Sequence, residues 1–351
     1  MCGILGVCLD IKATRTFEDM ERLKFNFAEL LMSSQARGRD AAGAYVVNKN
    51  SDVIYFKAPM TASALIDTDT FWKMLNEYVG ENTVAIIGHT RAATTGSPKC
   101  NDNNHPIVDL PIVGVHNGVI RNHLELGRKY KKAAEVDSAA IMALLRVKSG
   151  KTPLKVETLT KHLHKLDGPF AIAVTDTRKP DAVYLARNNN PVVFHRDRDA
   201  GLLWFASTEA ILRDGLELHA DDKVFEMPGN SACRIDSKAV RRKLKFHALK
   251  SASPTAKSAA VTPMKFPSAT MTKPSKPSIN EATARWIAEG DKKGEWPPRR
   301  ALIETTQQLR GNYHREPQVQ CGKCGSAILT VFMGSTPVET CGCKPLRTLF
   351  D

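Results

Sequence analysis

The sequence lacks any uninterrupted run of about 18 apolar residues, the minimum length of a membrane-spanning helix. It also lacks a basic segment ahead of its first apolar stretch, and Asp10 interrupts that stretch, so we expect no secretory signal. No internal repeat is present. Together these absences predict a cytoplasmic protein.

Cysteine is too sparse for a disulfide scaffold, because the chain of 351 residues has only eight. Apolar residues make up 42% and charged residues 25%, as in ordinary soluble globular proteins. The length allows one large domain with an appendage, or two domains. Four of the cysteines are scattered and four are grouped near the end, which favours a metal site for the group.

Acidic residues are scarce in the last third of the chain. After residue 236 there are 20 of the 50 basic residues but only 8 of the 37 acidic ones, and residues 248–280 have none. Such an asymmetry is typical of a segment that binds a polyanion, and also of a Lys-rich segment that is simply soluble and disordered. The sequence leaves both interpretations open.

Residues up to about 245 combine many short apolar runs with a few amphipathic segments. The spacing of Met20, Leu23, Phe27, Leu30 and Leu31 predicts a helix, and "EVDSAAIMALLRV" predicts another. Strand-like runs include "TVAIIGHTR", "IVGVHNGVI", "GPFAIAVTD", "AVYLAR", "PVVFHR" and "LLWFAST". Because helices do not alternate with strands, the pattern favours a layered α+β sandwich over a doubly wound parallel sheet.

The composition divides the chain into four parts. Residues 2–245 form the predicted main domain, and residues 246–280 are a Pro/Ser/Ala/Lys-rich segment that predicts a disordered linker. Residues 281–316 form a short helical or irregular segment. Residues 317–346 resemble a small independent module.

The small module has the spacing of a structural zinc site. Its thiols belong to Cys321, Cys324, Cys341 and Cys343, in a C-x2-C and a C-x-C pair with "AILTVF" between them, which suits a hairpin. Four thiolates at such spacing favour a closed tetrahedral zinc site, with a redox C-x-x-C or unbonded thiols as the alternatives. The module is too small for catalysis, so we expect it to dock a protein or a nucleic acid.

The opening residues "MCGILG" raise the question of what Cys2 does. It is either a small buried hydrophobe in a strand or a nucleophile whose own α-amine acts as a base once Met1 is removed. Further segments bear on this question: "RGRDAAG", "GHTRAATTG", "NNHP", "HNGVIRN" and "EVDSAAI". Taken singly, Arg91 could be a surface charge, "NG" a hairpin turn and Asp137 a helix N-cap. The two glycines of "RGRDAAG" are predicted to serve turns with positive φ.

In this order and spacing, the six segments resemble the class II glutamine amidotransferases, whose glutaminase domain is an N-terminal nucleophile hydrolase. The resemblance covers residues 2–240, with weaker matches in "LDGPFAIAVTD", "ARNNNPVVF", "WFASTEAIL" and "MPGNSACRI". It implies a four-layer αββα sandwich of two antiparallel sheets. It also implies hydrolysis of the glutamine side-chain amide through a thioester on Cys2.

The resemblance assigns roles to individual residues. Asn117 and the Gly118 N–H would stabilise the oxyanion, and Gly118 would allow close approach of the backbone. Arg91 would bind the α-carboxylate of glutamine and Asp137 its α-ammonium, with Thr94 and Thr95 adding hydrogen bonds. Two positions depart from the pattern: Ala92 replaces a large aromatic residue, and Thr95 stands where histidine is frequent.

No segment of the chain suits the enzyme that consumes the ammonia. About 106 residues follow residue 245, and no G-x-x-x-x-G-K-[ST] loop occurs. We therefore expect the glutaminase subunit of a two-component amidotransferase, whose acceptor synthase or ligase is another chain. The alternatives are a free-standing glutaminase and a non-catalytic, glutamine-sensing adaptor that binds nucleic acid. The basic C-terminal third also suggests a nucleic acid base or precursor as the acceptor, which would make binding salt-sensitive.

Overall fold

A computed structural model describes residues 1–49, 53–132 and 135–250, together with the backbone of residues 329–333 and 336–340. Its strands are β1 (Gly3–Leu9), β2 (Ala41–Asn48), β3 (Val53–Ala58), β4 (Thr83–Arg91), β5 (Ile107–Asp109), β6 (Ile112–Gly118), β7 (Phe170–Asp176), β8 (Ala182–Arg187), β9 (Val193–Asp197), β10 (Leu202–Ala206), β11 (Val224–Glu226), β12 (Ser231–Asp236), β13 (His247–Ala248), β14 (Leu329–Met333) and β15 (Thr336–Thr340). Its helices are α1 (Phe17–Ser34), α2 (Ala62–Ile66), α3 (Asp69–Tyr78), α4 (His123–Lys129), α5 (Asp137–Ser149), α6 (Val156–His162), α7 (Glu209–Leu216) and α8 (Ser237–Arg241).

The strands form two antiparallel sheets. The first has the order β11-β9-β10-β1-β4-β2-β3-β14-β15 and the second the order β13-β12-β8-β7-β6-β5. One apolar core lies between the sheets, a second between the first sheet and α1, α2, α3 and α7, and a third between the second sheet and α4, α5 and α6. The predicted α+β sandwich with four αββα layers is confirmed.

Strand β1 shows how the sequence builds two of these cores at once. Successive side chains of a strand point to opposite faces. Leu5, Val7 and Leu9 pack in the core below the helices, while Ile4 and Cys8 pack in the core between the sheets. All five are essentially fully buried. Cys8 therefore serves as an apolar core residue, as its position in the alternation predicts.

Helix α1 begins and lies as its sequence predicts. Thr16 accepts a hydrogen bond from the Asp19 N–H and the Asp19 side chain accepts one from the Thr16 N–H, which is a capping box. Leu23, Phe27 and Leu30 on its apolar stripe are buried against the first sheet. The stripe thus anchors the outer helical layer over β1 and β4.

The prediction that the glycines of "RGRDAAG" adopt positive φ is wrong. Gly38 is extended, with φ of −168°, and Gly43 lies within β2 with no positive φ. Glycine is required there for space. A Cβ on Gly38 would lie 2.3 Å from the carbonyl carbon of Arg91, and one on Gly43 would lie 2.1 Å from the carbonyl oxygen of His105. The backbones of three segments that surround the site therefore approach each other closely.

The predicted hairpin of the small module is present as β14 and β15, which pair antiparallel. Strand β14 also pairs with β3, with Val331 opposite Ile54, and so extends the first sheet. The four grouped cysteines, the 251–280 part of the linker and residues 281–316 lie outside the described residues. Among the described helices, none combines the length and the apolar character needed to cross a membrane.

Candidate active site

The ends of three strands place the candidate residues at one edge of the sandwich. Cys2 directly precedes β1, where Gly3 lies opposite Thr90, and Arg91 is the last residue of β4. On the other side of β4, Arg91 lies opposite Ala41, the first residue of β2. Cys2 and Arg91, which are 89 positions apart in the sequence, thus become neighbours, because the start of one antiparallel strand lies beside the end of the next.

A backbone N–H and an arginine side chain hold Cys2 from two sides. The Ala92 N–H donates to its Sγ across 3.4 Å, and Arg37 Nε donates to its carbonyl oxygen across 2.8 Å. Burial raises the pKa of the Cys2 thiol, although the Ala92 N–H, the N-terminal ammonium and Arg91 act in the opposite direction. A thiol with a raised pKa is largely protonated at neutral pH, so it needs a base before it can attack a substrate.

Arg91 is buried, which excludes a role as a surface charge; its exposed fraction is 3%. Nη1 donates to Asn104 Oδ1 across 2.7 Å, and Nη2 donates to the carbonyl oxygens of Thr95 and Gly96 across 2.6 and 2.8 Å. A guanidinium has five N–H donors, so these bonds leave two for another acceptor. The side chain is held in one orientation and retains capacity for an anion.

Asn104 is the residue that orients Arg91. It is fully buried, and its Nδ2 donates to the carbonyl oxygen of Pro98 across 2.8 Å. Lys57 Nζ donates to the carbonyl oxygens of Asn104 and Pro106 across 2.8 and 2.9 Å. Burial lowers the pKa of Lys57 to about 8. A buried cation on β3 therefore fixes the backbone of the loop that fixes Arg91.

The two threonines lie in the loop that follows Arg91. Thr95 contributes its backbone carbonyl to Arg91, and Thr94 is exposed. The start of the loop is fixed by Asp40, whose Oδ2 accepts a hydrogen bond from the Ala93 N–H across 2.7 Å. The loop thus encloses Arg91 through its backbone, and the side chains of the threonines remain candidates for substrate contact.

Asn117 and Gly118 end β6, in the second sheet. Asn117 is 1% exposed, its carbonyl oxygen accepts from Asn190 Nδ2 across 2.7 Å, and its own Nδ2 has no hydrogen-bond partner among the described residues. A buried donor without an acceptor is costly. A Cβ on Gly118 would lie 2.1 Å from the Pro169 carbonyl oxygen, and Gly118 is the last residue of β6, so "NG" is not a hairpin turn.

Three buried histidines join the two sheets behind these residues. His89 Nε2 lies 3.0 Å from the His116 carbonyl oxygen, and the His105 ring stacks on His89 with centroids 3.9 Å apart. Ser138 Oγ lies 2.9 Å from His105 Nε2 and 3.0 Å from His116 Nδ1. Burial lowers the pKa of all three histidines, that of His89 to about 3, so the rings are neutral at pH 7. They form a rigid, uncharged support.

Asp137 is the first residue of α5, and Val136 occupies the N-cap position, so Asp137 is not the helix N-cap. Its Oδ2 accepts a hydrogen bond from the Ile120 N–H across 2.8 Å, which ties α5 to the segment after Gly118. The carboxylate is 6% exposed and close enough to Cys2 to raise the pKa of that thiol, while Arg91 lowers it. One fixed anion and one fixed cation therefore act on the same sulfur.

The sequence pattern indicated some supporting residues and missed others. Asn104 lies in "NNHP" and Asp40 in "RGRDAAG", so their segments were identified without their contacts. Lys57 carries no such signal, because a single lysine in an alternating strand is ordinarily exposed. Ser138 follows Asp137 in a helix, where serine is unremarkable. Cys321, Cys324, Cys341 and Cys343, the predicted zinc ligands, lie outside the described residues, and no other group of metal-binding side chains is found among those that are described.

The chain is similar in sequence to known glutamine amidotransferase domains and to named enzymes. Residues 89–214 match the family model described as a glutamine amidotransferase domain. The chain is 29% identical over 252 residues to 7-cyano-7-deazaguanine synthase 2 of Sulfurisphaera tokodaii, covering 70% of this chain and 51% of the relative. It is 31% identical over 204 residues to glutamine–fructose-6-phosphate aminotransferase (isomerizing) of Streptococcus mutans, covering 55% and 30%.

Solved structures show the same architecture. Glutamine phosphoribosylpyrophosphate amidotransferase of B. subtilis superposes with a TM-score of 0.51 at 16% identity, covering 71% of this chain and 49% of that one. The likeness at this identity concerns the fold. The chain spans about half the length of the 7-cyano-7-deazaguanine synthases it matches, and less of the aminotransferases. Residues 89–214 of this chain thus match a glutamine amidotransferase domain model, and the chain shares the fold of the solved amidotransferase structure.

Proposed function

We propose that the domain hydrolyses the side-chain amide of glutamine with Cys2 as the nucleophile. The observation that supports this most directly is the charge arrangement around the thiol. Arg91 and Asp137 are both buried and both act electrostatically on Cys2. A free amino acid carries an α-carboxylate and an α-ammonium, so a site with one fixed cation and one fixed anion complements it.

The reaction begins with the removal of Met1, which makes the α-amine of Cys2 available as a base. The α-amine has a reference pKa of about 7.7–8.0, below the raised pKa of the buried thiol. It therefore takes the thiol proton only as the sulfur attacks the amide carbon. The C–N bond then breaks, the amine returns the proton to the departing ammonia, and a thioester remains. Water cleaves the thioester to glutamate and regenerates the thiol.

Charge develops on the amide oxygen in both tetrahedral intermediates. The unpartnered Nδ2 of Asn117 supplies a donor that is already desolvated, and the Gly118 N–H supplies a second. The neutral histidines behind Asn117 add no charge that would hold an anion permanently. The site therefore stabilises the transient oxyanion of the tetrahedral intermediate without binding an anion permanently.

The ammonia acceptor in this proposal is a synthase or ligase on another chain. This chain matches about half of proteins named as 7-cyano-7-deazaguanine synthases and about a third of proteins named as aminotransferases. In this proposal the matched share is the glutaminase, and the acceptor chemistry belongs to the other chain. The free-standing glutaminase and the glutamine-sensing adaptor remain the competing functions.

The decisive experiment is intact-mass and peptide analysis after treatment with a glutamine-analogue electrophile. We expect a chain without Met1 that carries one label, on Cys2, and protection by glutamine. Cys100 is the exposed free cysteine of the domain, so the Cys100→Ser variant is the matched control and should label equally well. A retained Met1, or a label elsewhere, would contradict the mechanism.

The three functions differ in their kinetics. A glutaminase releases ammonia from glutamine as the purified chain, whereas a sensing adaptor binds glutamine without release. A subunit of a two-component enzyme releases ammonia faster when the acceptor enzyme and its substrate are added. A rate of ammonia release that does not change when any co-purifying ligase is added supports the free-standing glutaminase.

A further inference from the structure

We propose that helices α4, α5 and α6 form a surface that binds the phosphate backbone of a nucleic acid. We call this surface the basic face and define it by Lys129, Lys148, Lys161 and Lys165. It lies on the outer helical layer of the second sheet and shares no residue with the candidate active site. The inference is independent of the proposed glutaminase activity.

Contacts between the elements bring the four lysines together. The α4 and α6 regions both pack on α5. Asn122, which precedes α4, donates from Nδ2 to the Lys165 carbonyl oxygen across 2.9 Å. Lys148 Nζ on α5 lies 5.7 Å from the centroid of the Tyr130 ring, and Tyr130 directly follows Lys129. Three separate segments thus present their cations on one side.

The lysines of the basic face lack counter-ions within the protein. None of the four forms an ion pair with another described residue. Residues 121–165 include 11 Lys or Arg but only four Asp or Glu. Of these acids, Glu135 accepts from Asn103 and Asp137 is at the active site, which leaves Glu125 and Glu157 on the helices themselves. The cluster is therefore an uncompensated positive charge.

The lysines of the basic face lower the pKa values of groups close to them. Burial and then Lys148, Lys129 and Lys161 lower the pKa of Lys165. Burial and then Lys165, Lys148 and Lys161 lower the pKa of His162 to about 4. Cations that repel one another in this way are stabilised by a bound polyanion, because its charge removes the repulsion.

The basic C-terminal part of the chain departs from the same surface. The Lys250 N–H donates to the Thr160 carbonyl oxygen across 2.9 Å, beside Lys161 on α6. The next 30 residues include several lysines and no acidic residue. The described part of the domain therefore ends beside the basic face, and the sequence that follows it adds further positive charge to the chain.

A nucleic acid complements the basic face better than a membrane does. Interfacial helices insert a continuous apolar face into lipid, whereas the exposed large apolar side chains of α4, α5 and α6 are two isolated ones, Leu124 and Val147, and the others are buried in the core beneath them. A nucleic acid backbone instead presents phosphates at regular spacing to cations on rigid elements. Because lysines bind phosphate without reading bases, we expect binding that depends little on sequence.

The test measures binding of the full chain to a fluorescent 20-base-pair DNA duplex by anisotropy, at 50–200 mM salt. We expect affinity to fall steeply with salt, and the variant with all four lysines of the basic face changed to Glu to bind at least ten times more weakly. The slope of its plot of log affinity against log salt should be smaller in magnitude by about 3.6, since each of the four lost phosphate contacts removes about 0.9.

The matched control changes four exposed lysines elsewhere on the domain, Lys12, Lys49, Lys73 and Lys223, to Glu. It has the same net charge and should keep most of the affinity. Ammonia release from glutamine should be the same in both variants, which also verifies their folding and separates this proposal from the proposed function. Equal loss in both variants would overturn the basic face. So would binding to anionic vesicles or poly-glutamate that matches or exceeds binding to DNA.

Discussion

Arg91 Nη1 donates a hydrogen bond to Asn104 Oδ1 across 2.7 Å, and both side chains are buried. Asn104 thereby fixes the orientation of the cation that would bind the substrate carboxylate. Lys57 on β3 fixes the backbone of Asn104 in turn. The orientation of Arg91 at the end of β4 therefore depends on the 101–106 loop, and the loop depends on Lys57.

The Asn104→Ala variant should bind glutamine more weakly. It loses a hydrogen bond to a buried charge, worth about 1.5–3 kcal/mol, so KM should rise about 10- to 100-fold while kcat falls much less. Steady-state ammonia release measures both constants. Asn48→Ala is the control, because Asn48 also makes hydrogen bonds within the domain, partly buried ones with Tyr78 and Thr83, and the variant should leave KM unchanged. Equal effects on kcat and KM in both variants would contradict the role of Asn104.

The Asn117→Ala variant should lose catalysis and keep substrate binding. Removal of one oxyanion donor typically lowers kcat about 10²- to 10³-fold, because the interaction forms only in the transition state. The Nδ2 of Asn117 has no described partner to lose, so thermal stability should be retained. Comparison of kcat, KM and the melting temperature tests this. A large loss of stability at unchanged kcat would show that the amide is structural.

Lys57 should make the stability of the domain depend on pH. The pKa of Lys57 is about 8 in the folded protein and ordinarily 10.5. Between pH 8 and pH 10.5 the unfolded chain therefore binds more protons than the folded protein. The free energy of unfolding should therefore rise as pH increases from 8 to 10.5, and this gain should be lost as pH falls through 8. Denaturant titrations at pH 7.5 and 10 should show the rise in the wild type relative to Lys57→Met. A difference between the two proteins that is independent of pH would contradict the burial of a charged Lys57.

The Gly118→Ala variant should be destabilised by a steric clash. Its Cβ would lie 2.1 Å from the Pro169 carbonyl oxygen, and the φ of 157° is unfavourable for a side chain. We expect a loss of about 1–3 kcal/mol and a melting temperature lower by several degrees. Gly80→Ala is the control, because nothing lies within 4 Å of the Cβ it would gain. Similar melting temperatures for the two variants would refute the close approach.

The grouped cysteines should bind zinc. We expect about one zinc per full chain by metal analysis, held by Cys321, Cys324, Cys341 and Cys343. The paired Cys321→Ser and Cys324→Ser substitutions should abolish zinc binding, whereas Cys100→Ser should not. Ammonia release should persist in all of these variants, since the site at Cys2 is separate. Metal-free chains with four reactive thiols would contradict the zinc site.

The sequence alone determined the layered fold and most of the candidate site. Alternating apolar residues in β1 specify two buried faces, and the periodic residues of α1 specify one, since burial follows the geometry of the backbone. The motifs around Cys2, Arg91, Asn117 and Asp137 also identified the residues whose chemistry suits an amide hydrolase. The periodicity and the motifs each lie within a short segment, so they can be recognised in the sequence alone.

Only the tertiary structure decided what depends on contacts between distant segments. Gly38 and Gly43 proved to be needed for close packing, because the backbones they approach belong to β4 and to the loop before β5. Lys57 is buried and supports the backbone of Asn104. Four lysines from three segments lie on one surface, although the first 236 residues have almost no net charge. Sequence reports how many charges a chain has. Folding decides which of them meet, because electrostatic interactions depend on distance in space and on burial.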